Sequence, residues 1–206
     1  MDGVLVNTEP LKFQAYREVF KNRFNVELED DPARLGKHEV PIVEFFLKKF
    51  GLNGNVTEVV RQKREAYYRI LDGVSLELFP DVAELLRELQ VSGMHLALAT
   101  SSDRRSADTI LKRFDLEKYF DVILTQEDTE RKKPDPDIYL KSAARLKTDS
   151  GKCAVVEDSQ VGVEAAKQAG MKCVAVTFTT ERPFLNKADL IIDGFKQLTT
   201  EKIKNL

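Results

Sequence analysis

From about residue 81 to the C-terminus, short continuous apolar runs alternate with stretches whose apolar residues return every third or fourth position. The first pattern marks a strand buried on both faces, the second a helix with one buried stripe. Together they predict helices over 81–90, 106–114, 136–146 and 161–170, and strands over 95–100, 121–126, 153–158, 172–178 and 188–193. Strand and helix in alternation give a parallel sheet covered on both faces, an α/β fold. Local punctuation agrees with it. Pro136 is expected at a first helical position behind Asp135 as cap, and Gly170 stands where a helix should end.

Between residues 9 and 78 the period changes. Apolar residues recur only at helical spacing in "LKFQAYREVF", "VPIVEFFLKKF" and "EVVRQKREAYYRIL", without strand-like alternation. This predicts a helical insert that divides the α/β domain near its start: a core of 1–7 and 78–206, and a helical domain of 8–77. There is no internal repeat or low-complexity tract.

Composition narrows the partners. Thirty-two basic residues stand against thirty-four acidic ones, a net charge of −2, and no stretch gathers Lys and Arg without interspersed acids. Nucleic acid and membrane surfaces are therefore excluded as expected partners. The apolar runs fall far short of the ~20 residues of a membrane helix, and no secretory signal is visible. Cys153 and Cys173 form no disulfide framework and lie in strand-like segments, where each is expected to be a small buried apolar residue. The expectation is a cytoplasmic monomer.

In an open parallel sheet, ligands bind beyond the carboxyl ends of the strands, so the residues closing each strand are the candidates for chemistry. They are Asp2 in the opening segment, Thr100 with Ser101 and Ser102, Lys133 in the loop after 121–126, and Glu157 with Asp158. Singly, each has a bland reading as a helix cap, a loop charge or a turn. As a set at one end of successive strands they suit phosphoryl transfer: hydroxyl and amide donors and a lysine for phosphate charge, and carboxylates for Mg²⁺.

Four segments, "DGVLVNTEP", "LALATSS", "KKPDPDIYL" and "VVEDSQVGVEAAKQAG", resemble the motifs of the haloacid dehalogenase superfamily, in its beta-phosphoglucomutase-like phosphatase branch with a helical cap. The resemblance spans essentially the whole chain. It implies a Rossmann-like core with an inserted cap, and a Mg²⁺-dependent phosphatase acting on a small phosphorylated metabolite through an aspartyl-phosphate. Residue by residue, it implies Asp2 as general acid and base with its carbonyl on Mg²⁺. Thr100 and the Ser101 N–H at a helix opening would hold the phosphoryl group, and Lys133 would neutralise charge. Asp158 would be a direct Mg²⁺ ligand, and Glu157 would act through a metal-bound water or by orienting Lys133. Gly3 would let the chain turn out of the site, and Asn7 departs mildly from the usual Asp.

The family's nucleophile lies two residues before the acid, a position ahead of Met1. Its strand belongs in the middle of the sheet, so its absence leaves two neighbours with unpaired ladder groups at ~1–3 kcal/mol for each buried group. The expectation is that the start has been assigned too late. The substrate-binding candidates are Lys12, Lys37 and Arg69, although each could equally sit on a solvated helix face. No arginine follows Gly36, which counts against a mutase; His38 and His95 are the two histidines, and His95 is expected to be structural. A phosphatase is favoured over a hexose-phosphate mutase and over a non-catalytic phosphate- or partner-binding module.

Overall fold

The computed structural model describes residues 1–31 and 38–206. The chain divides into two compact units, Met1–Asn7 with Glu77–Leu206, and Thr8–Leu76.

The first unit carries α4 (Val82–Val91), β1 (Ala97–Ala99), α5 (Arg104–Arg113), β2 (Val122–Leu124), α6 (Asp137–Arg145), β3 (Ala154–Glu157), α7 (Gln160–Gln168), β4 (Lys172–Val176), β5 (Leu190–Ile192) and α8 (Thr200–Lys204). All pairings between these strands are parallel, as the alternation predicts. The strands are shorter than the apolar runs that announce them, and the lengths have a physical order. β4 has neighbours on both sides and keeps five residues, whereas β1, β2 and β5, each with one neighbour, keep three. A ladder residue with a partner on one side only has less to hold it in register.

The single expected sheet is two. β1 pairs with β2, with Leu98 opposite Ile123, and β3, β4 and β5 form a separate sheet with Val156 opposite Val174 and Ala175 opposite Ile191. Among the described residues no strand bridges β1 and β3. Leu124, Val155, Val163, Ala166, Cys173 and Leu185 belong to the core cluster. The alanine-rich stripe of α7, Ala165 and Ala166 at 0 % exposure, lets that helix lie close on the strands.

Three local expectations shift. Helix α6 begins at Asp137, and Pro136 is its cap residue; Asp135 still serves the helix end, its carboxylate accepting from the Asp137 N–H at 3.0 Å. Helix α5 begins at Arg104 with Asp103 as its cap, so Ser101 stands ahead of the helix opening. Cys173 is buried, and burial together with the Glu157 charge pushes its thiol up to about 12. Cys153, just before β3, is only half-buried, because that end of the strand faces outward. Gly170 ends its helix as expected, at φ +71° two residues past the last turn of α7.

The opening segment is stitched into this unit. Asp2 and Val6 form a parallel bridge, Val6 an antiparallel bridge to Leu78, and the Phe79 N–H donates to the Leu5 carbonyl at 2.8 Å.

The second unit is α1 (Glu9–Phe24), α2 (Glu39–Lys49) and α3 (Val56–Gly73). Phe20 packs edge-on to Phe46 with centroids 5.6 Å apart, and the Asn55 side chain caps α3 by accepting from the Glu58 N–H at 3.0 Å. Val59, Ala66, Tyr67 and Leu71 make the buried stripe of α3, and Lys63 stands among them. No helix of the described residues is long and apolar enough to cross a membrane.

Candidate active site

Four of the sequence candidates close strands of the first unit. Thr100 follows β1, Lys133 lies between β2 and α6, Glu157 ends β3, and Asp158 comes next. The fifth, Asp2, is brought to them by the opening segment: its Oδ2 accepts from the Ser102 hydroxyl at 2.7 Å and, more weakly, from the Thr100 hydroxyl at 3.4 Å. Thr100 in turn accepts from the Ser102 N–H at 3.1 Å, and Thr100 is 3 % exposed. Ser102 has no role in the sequence reading beyond its place in the Thr-Ser-Ser run, yet its bond to Asp2 is shorter than that of Thr100. The Met1 ammonium is buried among the charges of Asp2, Lys133, Glu157 and Asp158, and burial lowers its pKa.

Glu157 is the best-anchored group. Its Oε1 accepts from Lys133 Nζ and from the Tyr139 hydroxyl, both at 2.6 Å. Its Oε2 accepts from the Asp158 N–H at 3.0 Å, the Ser159 N–H at 3.3 Å and the Ser159 hydroxyl at 3.1 Å. Burial alone would push this carboxyl up, but the Lys133 charge and the hydrogen bonds from Lys133 and Tyr139 outweigh it and hold the group well below the usual carboxylate range. With both oxygens committed inside the protein, Glu157 orients Lys133. The Tyr139 ring also lies 4.6 Å below the Lys133 ammonium, and burial with the nearby Glu157 charge raises the phenol well above its ordinary pKa.

Two glycines make room for these carboxylates. A Cβ on Gly162 would fall 2.0 Å from the Glu157 carboxyl carbon, and one on Gly3 would fall 1.9 Å from Asp158 Oδ2. Gly3 also sits at φ +69°, where an L side chain is strained. Gly162→Ala should therefore lower stability by about 1–3 kcal/mol through overpacking, read as a fall in the urea midpoint. A midpoint equal to that of the unmodified chain would contradict the close approach.

Asp158 behaves oppositely to its neighbour. Burial first, and then the Glu157 charge, raise its carboxyl to about 7, and the Thr179 hydroxyl, which donates to Oδ2, only partly opposes this. A folded pKa raised above the unfolded value of 3.8 stabilises the fold at low pH, and that contribution drains away as pH rises from about 4 to about 7. The Asp158→Asn variant should lack this decline. Urea midpoints of the two proteins at pH 4.5 and 7.5 check it, and parallel pH profiles would contradict it.

A divalent cation fits this donor set. Asp158 is a buried carboxylate whose ionised form the Met1 ammonium and the Lys133 charge offset only in part, and the Gly3 Cα lies against it so closely that a side chain would collide with it. Among the described residues no three His, Cys, Asp or Glu side chains converge as a metal cluster. Mg²⁺ asks for fewer, since it keeps several waters and takes one or two carboxylates.

In the helical unit, Lys12 pairs with Glu9 at 3.0 Å, and Arg69, with its side chain 64 % exposed, pairs with Glu18. Lys37 lies outside the described residues, and so does Gly36. The basic residue that the sequence reading passed over is Lys63. Its side chain is 5 % exposed, its Nζ is 2.9 Å from Glu39 Oε1, and it lies 5.0 and 5.1 Å from the Tyr16 and Tyr67 ring centroids. A lysine at an apolar-stripe position between Val59 and Tyr67 was the available signal. His95 contacts Asp121 at 3.2 Å on the exposed surface.

The model of the haloacid dehalogenase-like hydrolases matches residues 1–176. The phosphorylated carbohydrates phosphatase of Thermotoga maritima is 38% identical over 173 residues, which are 84% of this chain and 80% of that one. The beta-phosphoglucomutase of Bacillus subtilis is 30% identical over 209 residues, 98% of this chain and 90% of that one. Among solved structures, CbbY from Rhodobacter sphaeroides in complex with phosphate superposes with a TM-score of 0.84 at 26% identity, covering 100% of this chain and 96% of the other. The chain belongs to the haloacid dehalogenase-like hydrolases. Within that family its relatives are phosphatases and phosphomutases.

Proposed function

We propose that this protein is a Mg²⁺-dependent phosphatase of a small phosphomonoester, a sugar phosphate or similar metabolite. The observation that carries the reading is the meeting of Asp2 with Thr100, and of Lys133 and Asp158 with Glu157, within one unit, with Asp2, Lys133, Glu157 and Asp158 all acting on the same buried ammonium. The phosphatase among the relatives supports the same substrate class.

The reaction is two displacements. An aspartate carboxylate attacks phosphorus and displaces the alcohol, and water then attacks the aspartyl-phosphate to release phosphate and restore the carboxylate. Asp2 gives its proton to the departing alkoxide in the first displacement. In the second it takes a proton from the attacking water. The Ser102 hydroxyl keeps Asp2 Oδ2 turned toward Thr100. The Thr100 hydroxyl and the Ser101 N–H donate to the transferring oxygens, and Lys133 offsets their charge. Asp158 with the Asp2 carbonyl would hold the cation, which when bound offsets negative charge on nucleophile and phosphoryl group. Basic side chains of the helical unit choose the rest of the substrate, with Lys12, Lys37 and Arg69 as the candidates.

The mechanism requires a nucleophilic aspartate two positions ahead of Asp2, carried by a strand between β1 and β3. A phosphatase releases inorganic phosphate from a monophosphate without priming. If turnover instead needs a sugar bisphosphate and yields an isomerised monophosphate, the mutase reading, which the Bacillus subtilis relative favours, replaces it.

A further inference from the structure

The loop after β4 has no part in the chemistry above, yet it reaches the site. Thr179 donates its hydroxyl to Asp158 Oδ2. The residue before it, Phe178, stacks on Phe79 with centroids 4.3 Å apart and planes 21° apart, and meets the buried Phe195 edge-on at 5.3 Å. Phe79 in turn donates its N–H to the Leu5 carbonyl, and the opening segment comes through Gly3 against Asp158 Oδ2. These contacts form a closed circuit that passes through the Asp158 carboxylate: Gly3, Asp158, Thr179, Phe178, Phe79 and Leu5.

We infer that Thr179 is a positioning residue for Asp158, and that the Phe178–Phe79 stack holds Thr179 in place. A carboxylate on a single rotatable stem can turn its plane freely. A hydroxyl bonded to one oxygen fixes that plane and so the direction in which the other presents its lone pairs. Partners behind a metal ligand act in this way on cation affinity. Phe178 supplies what the hydroxyl lacks, a rigid neighbour in the same loop wedged between two rings. The inference rests on the reading that Asp158 meets a divalent cation.

The test is Mg²⁺ affinity by calorimetry on the chain as it stands, which needs no turnover. Thr179→Val keeps the shape and removes the hydroxyl, and it should weaken Mg²⁺ binding by about tenfold or more, with the urea midpoint near that of the unmodified protein. Thr179→Ser should restore the affinity. Phe178→Ala should weaken binding in the same direction, and the Phe178→Ala, Thr179→Val double variant should bind no more weakly than Thr179→Val alone, because both act through one bond. If Thr179→Val binds Mg²⁺ like the unmodified chain while Asp158→Asn does not bind, the positioning role is overturned and the cation site stands. Equal losses in Thr179→Ser and Thr179→Val overturn it as well. If Asp158→Asn binds as tightly as the unmodified chain, the cation site itself is overturned, and the inference with it.

Discussion

Replacing Lys133 by alanine should cost about 3–5 kcal/mol of stability, a large share of what a domain of this size has to lose. The sequence places Lys133 before a proline in a loop, where a charge is ordinarily solvated and its loss harmless to the fold. The structure places its side chain at 9 % exposure, 2.6 Å from a Glu157 side chain that is 8 % exposed. Removing one partner of such a pair leaves the other charge buried and uncompensated. The sign of the pH dependence follows. In the unmodified protein Glu157 is held below 4.5, so its contribution is present above that pH and is lost as pH falls through the depressed value. In Lys133→Ala burial is opposed far less, the folded value rises, and the variant loses stability as pH increases past 4.5. Denaturation of both proteins at pH 4 and pH 7 should show the wider gap at pH 7. Pairing Lys133→Met with Glu157→Gln should recover much of the loss, since it removes the stranded charge. A single variant as stable as the original at pH 7 would contradict the buried pair.

The site is legible in sequence because α/β topology puts chemistry where strands end, and apolar runs mark those ends to within a residue or two. Thr100, Glu157 and Asp158 could each be read directly from the residues that close an apolar run, whereas Lys133 stands well along the loop between β2 and α6. Their supports could not. Tyr139 sits on the buried stripe of α6 beside Ile138 and reads as core, and only the placement of α6 against β1 and β2 brings its hydroxyl to Glu157. Thr179 lies in a loop beyond β4, where no periodicity says which way the chain turns. The apolar period starts α5 at residue 106 and the Thr-Ser-Ser run offers caps nearer 101; the helix begins between them at Arg104, with Asp103 as the cap that accepts from the Ser106 N–H at 2.8 Å. Lys63 broke the apolar stripe of α3 in plain view; it was missed because exposed lysine is the commoner reading. Which strands pair with which is a property of the folded chain, which a single strand's residues do not reveal.

The largest change in activity is expected from supplying, ahead of Asp2, a strand that carries the aspartate the mechanism requires. A chain preceded by one apolar strand of about 5 or 6 residues ending in aspartate should pair with both β1 and β3. Each re-formed buried backbone hydrogen bond contributes about 1 kcal/mol net, so the urea midpoint should rise distinctly. The same extension replaces the buried Met1 ammonium by a peptide and sets a carboxylate facing Lys133, where attack on phosphorus can occur.

Phosphate release from a small sugar phosphate, measured with and without Mg²⁺ on the chain beginning at Met1 and on the extended chain side by side, tests this account most directly. The account expects Mg²⁺-dependent release from the extended chain and negligible release from the shorter one. Equal turnover by the two would contradict it, since some carboxylate other than the aspartate ahead of Asp2 would then be the nucleophile.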